Sequence, residues 1–165
     1  MALPDDLLQL ARHLANLDEP NPRQAALRRA VSTAYYALFH LLVSEATLNW
    51  GRIELRPLLG RVFEHGNMKT ASERIVSVFK AQMKKGPAPS QELAVSQRLH
   101  VVASTFIQAQ QRRNEADYDT SEDWTREEVL EQIDGVSAAF SNWNAIRDEP
   151  VAQAYLVSLL GRRRV

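Results

Sequence analysis

The chain has 165 residues, enough for one compact core and short for two, so a single domain over 1–165 is expected. Hydrophobic residues make up 45% and charged residues 24%, ordinary values for a globular protein, and the 20 basic side chains balance the 20 acidic ones, so any nucleic-acid binding would rest on a local patch and not on bulk charge. The absence of cysteine excludes disulfides, thiolate metal sites and cysteine nucleophiles.

Pro4 followed by Asp5 and Asp6 predicts an amphipathic helix over 4–17, because proline suits a first turn and acids suit the positive end of the helix dipole. These first residues lack the basic start and small-residue cleavage site of a signal peptide, and no apolar run is long enough to span a membrane; a soluble cytoplasmic protein is expected. Asn21, Pro22 and Gln24 read as a cap, a first-turn proline and a capping-box partner, opening a long helix to about Asn49. Its apolar face is Leu27, Val31, Ala34, Leu38, Leu41 and Leu42. Arg29, Thr33, Tyr36 and His40 form a second, polar and aromatic stripe at helical spacing, which could face a cleft.

Trp50 and Gly51 break the chain, Leu58 to Phe63 suggest a short helix, and His65-Gly66-Asn67 predicts another break. Thr70 with Glu73 reads as a capping box for a helix carrying Ile75, Val76, Val78 and Phe79. Residues 84–89, KKGPAP, form an exposed connection that cannot continue a helix. Ser90 then caps a long helix ending near Arg113, with Val95, Leu99, Val102, Phe106 and Ala109 as its buried stripe. One more step of four lands on Arg113, a charge that needs a partner in such a position. Thr125 with Glu128 predicts a further capping box, leading a helix with Val129, Ile133, Val136, Phe140 and Trp143. Pro150 opens a last helix, ended by Gly161 and the basic run 162–164.

No stretch alternates strictly enough for a strand, so the expected fold is all-α: an antiparallel up-and-down bundle with its core over about 21–146 and accessory helices at 4–17 and 150–161. The four histidines lack paired ligand spacing, and no metal or other cofactor is expected. From Glu115 to Glu131 there are eight acids and one base; they read as favourable charge around a helix N-terminus in preference to a metal site.

The segment LRRAVSTAYYALFHLL (27–42), taken with RNEADYD (113–119), resembles the HEPN superfamily, and within it small prokaryotic proteins with an Arg-x-x-Ala-Asp-Tyr signature. The resemblance implies a helical bundle that forms a homodimer, with the arginine-bearing helix end near the dimer cleft. Many such proteins are metal-independent ribonucleases, acting as toxins of toxin–antitoxin pairs or in defence systems, some controlled by a nucleotidyltransferase-like partner. Their active signature is an arginine followed four to six residues later by histidine. Arg113 and Asn114 match its start, but Tyr118 stands in the histidine's place, Asp119 and Thr120 fill the longer spacings, and no histidine follows. A phenol, with an ordinary pKa of about 10, is a poor proton shuttle at neutral pH.

Two readings stay open. In one, Arg113 grips a phosphate of RNA or a nucleotide, Asn114 donates an amide hydrogen bond, and Asp117, Tyr118, Arg29, Tyr36 and His40 line the same cleft, with His40 as the spare base. In the other, Arg113 forms a salt bridge with Asp117 or Asp119, and the Arg113, Asp117 and Tyr118 cluster fixes the geometry of a catalytically inactive dimeric interaction module.

Overall fold

A computed structural model of the chain describes residues 1–161; the predicted basic run at 162–164 lies outside the described residues. The described residues contain helices and no strand, as expected: α1 (Leu3–Ala15), α2 (Gln24–Leu48), a 3-10 turn (Ile53–Leu55), α3 (Arg56–Gly60), α4 (His65–Lys84), α5 (Gln91–Tyr118), α6 (Arg126–Ile146) and α7 (Pro150–Ser158). No helix among them is long and apolar enough to cross a membrane.

Several of these elements start where local chemistry dictates. The Ser90 hydroxyl accepts the Leu93 N–H at 3.1 Å, and Thr125 and Glu128 close a reciprocal capping box, Thr125 N–H to the Glu128 carboxylate at 2.9 Å and Glu128 N–H to the Thr125 hydroxyl at 3.2 Å. The Thr125 hydrogen bonds, the backbone one foremost, hold the Glu128 carboxyl below its ordinary pKa.

Other starts differ from expectation. The Arg23 carbonyl, not Asn21, receives the first α2 amides, and Gln24 makes no capping box; its amide spans to Trp124, donating to that carbonyl at 2.7 Å and accepting its N–H at 2.9 Å. The break expected at His65-Gly66-Asn67 is the first turn of α4, where amides need no helical partner and glycine costs little. Thr70 therefore lies inside α4, its hydroxyl bonded back to the Gly66 carbonyl at 3.1 Å, and is not a cap. The buried residues of α4 are Met68, Ala71 and Ser72, while Val78 lies in water and Ile75, Val76 and Phe79 are half-buried. The short helix expected at Leu58–Phe63 is α3, earlier and only five residues long. Finally, α5 does not end near Arg113 but continues through Tyr118.

The chain divides into two compact units, each assembled from two stretches of sequence. The first comprises Met1–Leu41 and Gln108–Phe140. Its core joins Ala11 and Ala15 of α1, Leu27, Ala30, Val31, Ala34, Tyr35 and Leu38 of α2, Ala109 of α5, and Val129, Ile133 and Val136 of α6, all nearly or fully buried. The many alanines permit close helix approach, and Arg12 of α1 is tied to Asp134 of α6 at 2.8 Å.

The second unit comprises Leu42–Ile107 and the described residues from Ser141. Met68, Val102, Phe106, Trp143, Ile146, Tyr155, Leu156 and Leu159 fill its core. Two polar links cross it. The Ser72 and Tyr155 hydroxyls share a hydrogen bond of 2.7 Å, and burial pushes the Tyr155 phenol well above its ordinary pKa. Glu45 accepts from Trp143 Nε1 at 3.0 Å and, through both oxygens, from Arg147 at 3.1 and 2.8 Å, joining α2 to α6.

Candidate functional site

The residues singled out by sequence lie in the first unit, on α2 and the last two turns of α5. Arg28 of α2 bonds the Ala116 carbonyl, Ser32 donates to Asp117, and Tyr35 and Tyr36 underlie Arg113.

Arg113 is half-buried, and its guanidinium sits 5.1 Å from the centroid of the Tyr35 ring and 5.8 Å from that of Tyr36. The two rings meet edge-on, 5.3 Å apart, so they form a fixed aromatic seat. Burial raises the Tyr35 pKa well above 10, while the Arg113 charge and hydrogen bond pull it the other way. A phenol kept neutral presents its ring face to the cation without competing for a proton.

The salt bridge expected from Arg113 to Asp117 or Asp119 does not form. Asp117 accepts the buried Ser32 hydroxyl at 2.6 Å, and Asp119 accepts both the N–H and hydroxyl of Ser121 at 2.9 and 2.6 Å, bonds that hold its carboxyl below the usual range. Among the described residues no carboxylate lies within salt-bridge distance of Arg113, and its Nε is buried without a hydrogen-bond partner. Arg113 is thus a cation seated on two tyrosines, without a carboxylate partner among the described residues.

Of the other predicted site residues, Tyr36 touches Arg113, and His40 lies 6.4 Å from the Tyr36 ring, so these three follow one another along the interface. Asn114, Tyr118 and Arg29 are exposed, Tyr118 by 77%, and no hydrogen bond or ion pair joins any of them to Arg113.

Sequence reasoning passed over Arg28, Ser32 and the Gln24–Trp124 pair. Arg28 carries the end of α5: Nη1 donates to the Ala116 and Asp119 carbonyls at 2.9 and 2.6 Å, and Nη2 to the Glu122 carbonyl at 2.6 Å. Ala116 is among the last carbonyls of α5, which a helix C-terminus leaves without intrahelical partners, and the other two lie in the connection that follows, so one guanidinium ties the helix end to that connection. Arg112 lies over the Trp124 ring at 5.7 Å and completes the fastening of the acidic connection to α6.

Burial lowers the pKa of His40, and in the second unit burial, with a smaller contribution from Lys80, lowers that of His100, whose ring stacks on Phe79 at 4.4 Å. Both imidazoles are therefore favoured neutral in the folded state. Their stabilisation is fully present above the ordinary value of 6.5 and is lost as pH falls from there toward the lowered native pKa values, because the unfolded chain takes up the protons first. The melting temperature is expected to fall between pH 7.5 and 5.5, above the main carboxylate range, and the double variant His40→Gln/His100→Gln to flatten that slope; an equal slope in both proteins would refute the assignment.

Comparison of the chain with protein-family models yields no match, and comparisons with curated proteins and with solved structures yield no significant one.

Proposed function

We propose that the chain is a HEPN-like antiparallel helical bundle that binds RNA or a nucleotide through Arg113, acting in the cytoplasm as a homodimeric component of a toxin–antitoxin or defence system. The observation that carries this reading is a guanidinium without a counter-charge: Arg113 is held on Tyr35 and Tyr36, and among the described residues no carboxylate lies within salt-bridge distance of it. A planar cation so fixed loses little side-chain freedom on gripping a phosphate and offers it two parallel N–H donors. Asn114 follows it directly and can donate an amide hydrogen bond, Tyr36 and His40 extend the same interface, and Arg29 adds an exposed charge.

A second reading rests on Tyr118. In the position where the family's ribonucleases have histidine, this side chain is 77% exposed, on the edge of an acidic connection. A bundle with that end is a catalytically inactive dimeric module whose partner is a protein, a nucleotidyltransferase-like one by the family resemblance.

The two readings separate in one experiment. Purified protein and Arg113→Ala are incubated with mixed cellular RNA without added metal, scored for binding and cleavage, and compared for mass and melting temperature. The first reading expects retention of RNA by the parent protein and at least tenfold weaker retention by the variant at unchanged mass. Equal RNA behaviour of the two proteins, with a lowered melt or altered mass in Arg113→Ala, establishes the second.

A further inference from the structure

The outer face of α4, in the second unit, carries charge that the fold does not use. Arg74, Ser77, Lys80, Ala81, Lys84 and Lys85 succeed one another at steps of three and four, the spacing of one helix face, and all six are exposed. Between Glu73 and Glu92 the sequence has these four bases and no acid. Among the described residues none of the four has a carboxylate within salt-bridge distance, whereas Glu73, the one acid of α4, is turned to Lys69 at 3.9 Å. The excess is felt inside the unit: after burial, Lys80 is the second cause that holds His100 below its ordinary pKa.

Helix electrostatics explain half of this pattern. Lys84 and Lys85 lie at the C-terminal end, where cations are favoured, but Arg74 and Lys80 are interior, before the last turn in which the dipole acts. In a chain with 20 bases and 20 acids, four uncompensated cations along roughly 16 Å of one helix are a local field. Its complement is a polyanion, and the rest of α4 selects the kind. A helix that lies on an anionic membrane inserts its apolar face, but Met68 and Ala71 are buried and Ile75, Val76 and Phe79 half-buried within the protein, leaving Val78 as the one large apolar side chain among the bases. A protein partner would need an anchor at the centre of the face, where Ser77 and Ala81 are small. A phosphate backbone needs only cations in a row.

We propose that this face of α4 is a docking track for the phosphate backbone of RNA, a contact additional to Arg113 and indifferent to base sequence. The choice of RNA rests on the reading of Arg113 above; the row of cations does not. The test measures the affinity of the full chain for a labelled oligouridine of roughly 20 nucleotides, without added metal, from about 50 to 200 mM salt. Each single-strand phosphate neutralised contributes about 0.7 to the slope of log affinity on log salt, so Lys80→Gln/Lys84→Gln/Lys85→Gln should lower the slope by about 2 and weaken binding about tenfold or more. Its melt should be unchanged, since glutamine suits a helix as well as lysine does. The control Arg23→Gln/Arg52→Gln/Arg61→Gln removes the same charge from other exposed positions and should leave the slope within about 0.7 of the parent's. Arg113→Ala, measured beside them, keeps the two sites apart. A slope lost in the α4 variant while Arg113→Ala binds as the parent does sinks the Arg113 reading alone; a slope kept in the α4 variant while Arg113→Ala loses binding sinks this one alone. A parent that does not retain the oligonucleotide, equal loss in the α4 and control variants, or an α4 variant that loses binding to anionic vesicles and not to RNA would each overturn the proposal.

Discussion

Replacing Glu45 by alanine should destabilise the protein by about 3 kcal/mol, because it strands a buried indole N–H and removes the counter-charge of a half-exposed guanidinium. The side chain is only 12% exposed and serves three donors at once: Trp143 Nε1 and two nitrogens of Arg147. Trp143 is fully buried, so its indole N–H has no water to turn to, and Arg147, itself 44% exposed, is left with half its hydration and no counter-charge. At this chain length the loss corresponds to roughly a 10 °C drop in melting temperature. Glu45→Gln keeps one acceptor oxygen and the shape of the side chain, and should lose clearly less. Thermal unfolding of the three proteins checks this; an alanine variant within a degree or two of the parent would mean that the network contributes packing alone.

The second large effect belongs to Arg28. One guanidinium there satisfies three carbonyls, at Ala116, Asp119 and Glu122, and each hydrogen bond from a charged donor contributes about 1.5 kcal/mol or more where water is partly excluded. Arg28→Ala should therefore cost about 3 kcal/mol, and the damage should be local. Amides of the last turn of α5 and of residues 119–124 should exchange with solvent at least tenfold faster, while those of α4 and α7 are unchanged. Arg28→Lys should rescue little, because an ammonium is a single point of charge and cannot span three acceptors arranged around a planar fork. Uniform acceleration of exchange over the whole chain would show that Arg28 supports global stability and not the end of α5.

These two residues also show what the sequence could tell. The core stripe of α2, with Leu27, Val31, Ala34 and Leu38, is plain at helical spacing, as are the caps at Ser90 and Thr125, because each depends on neighbours in the chain. Arg28 and Ser32 belong to a third stripe with Tyr35 and Phe39, about 90° around the helix from the core stripe. That stripe is as regular as the one through Arg29, Thr33, Tyr36 and His40, and it meets the end of α5 at Arg28, Ser32 and Tyr35, where the other contributes Tyr36. Which stripe beside the core meets another helix is decided by that helix and not by the spacing within α2.

Arg113 was legible as a residue needing a partner, and the partner lay beyond local reach. Asp117, one helical turn away, is the nearest candidate in sequence, yet Ser32, 85 residues distant, occupies it and leaves the cation to the tyrosines. The error at His65-Gly66-Asn67 has a different origin. Glycine and asparagine mark turns and helix first turns equally well, so composition cannot separate a break from a beginning. Trp143 was readable as core from its register with Val129, Ile133, Val136 and Phe140, and it is fully buried.

The assembly of each unit from two distant stretches bears on how the chain is made. Gln24 finds Trp124 only after 100 further residues, and Arg12 finds Asp134 after 122. At about 5–20 residues per second, a ribosome leaves the apolar faces of α1 and early α2 waiting for roughly 5–20 seconds before their partners emerge. Leu27, Val31 and Leu38 are in that interval an adhesive surface for holding chaperones, and a nascent chain stalled before α6 would display them indefinitely.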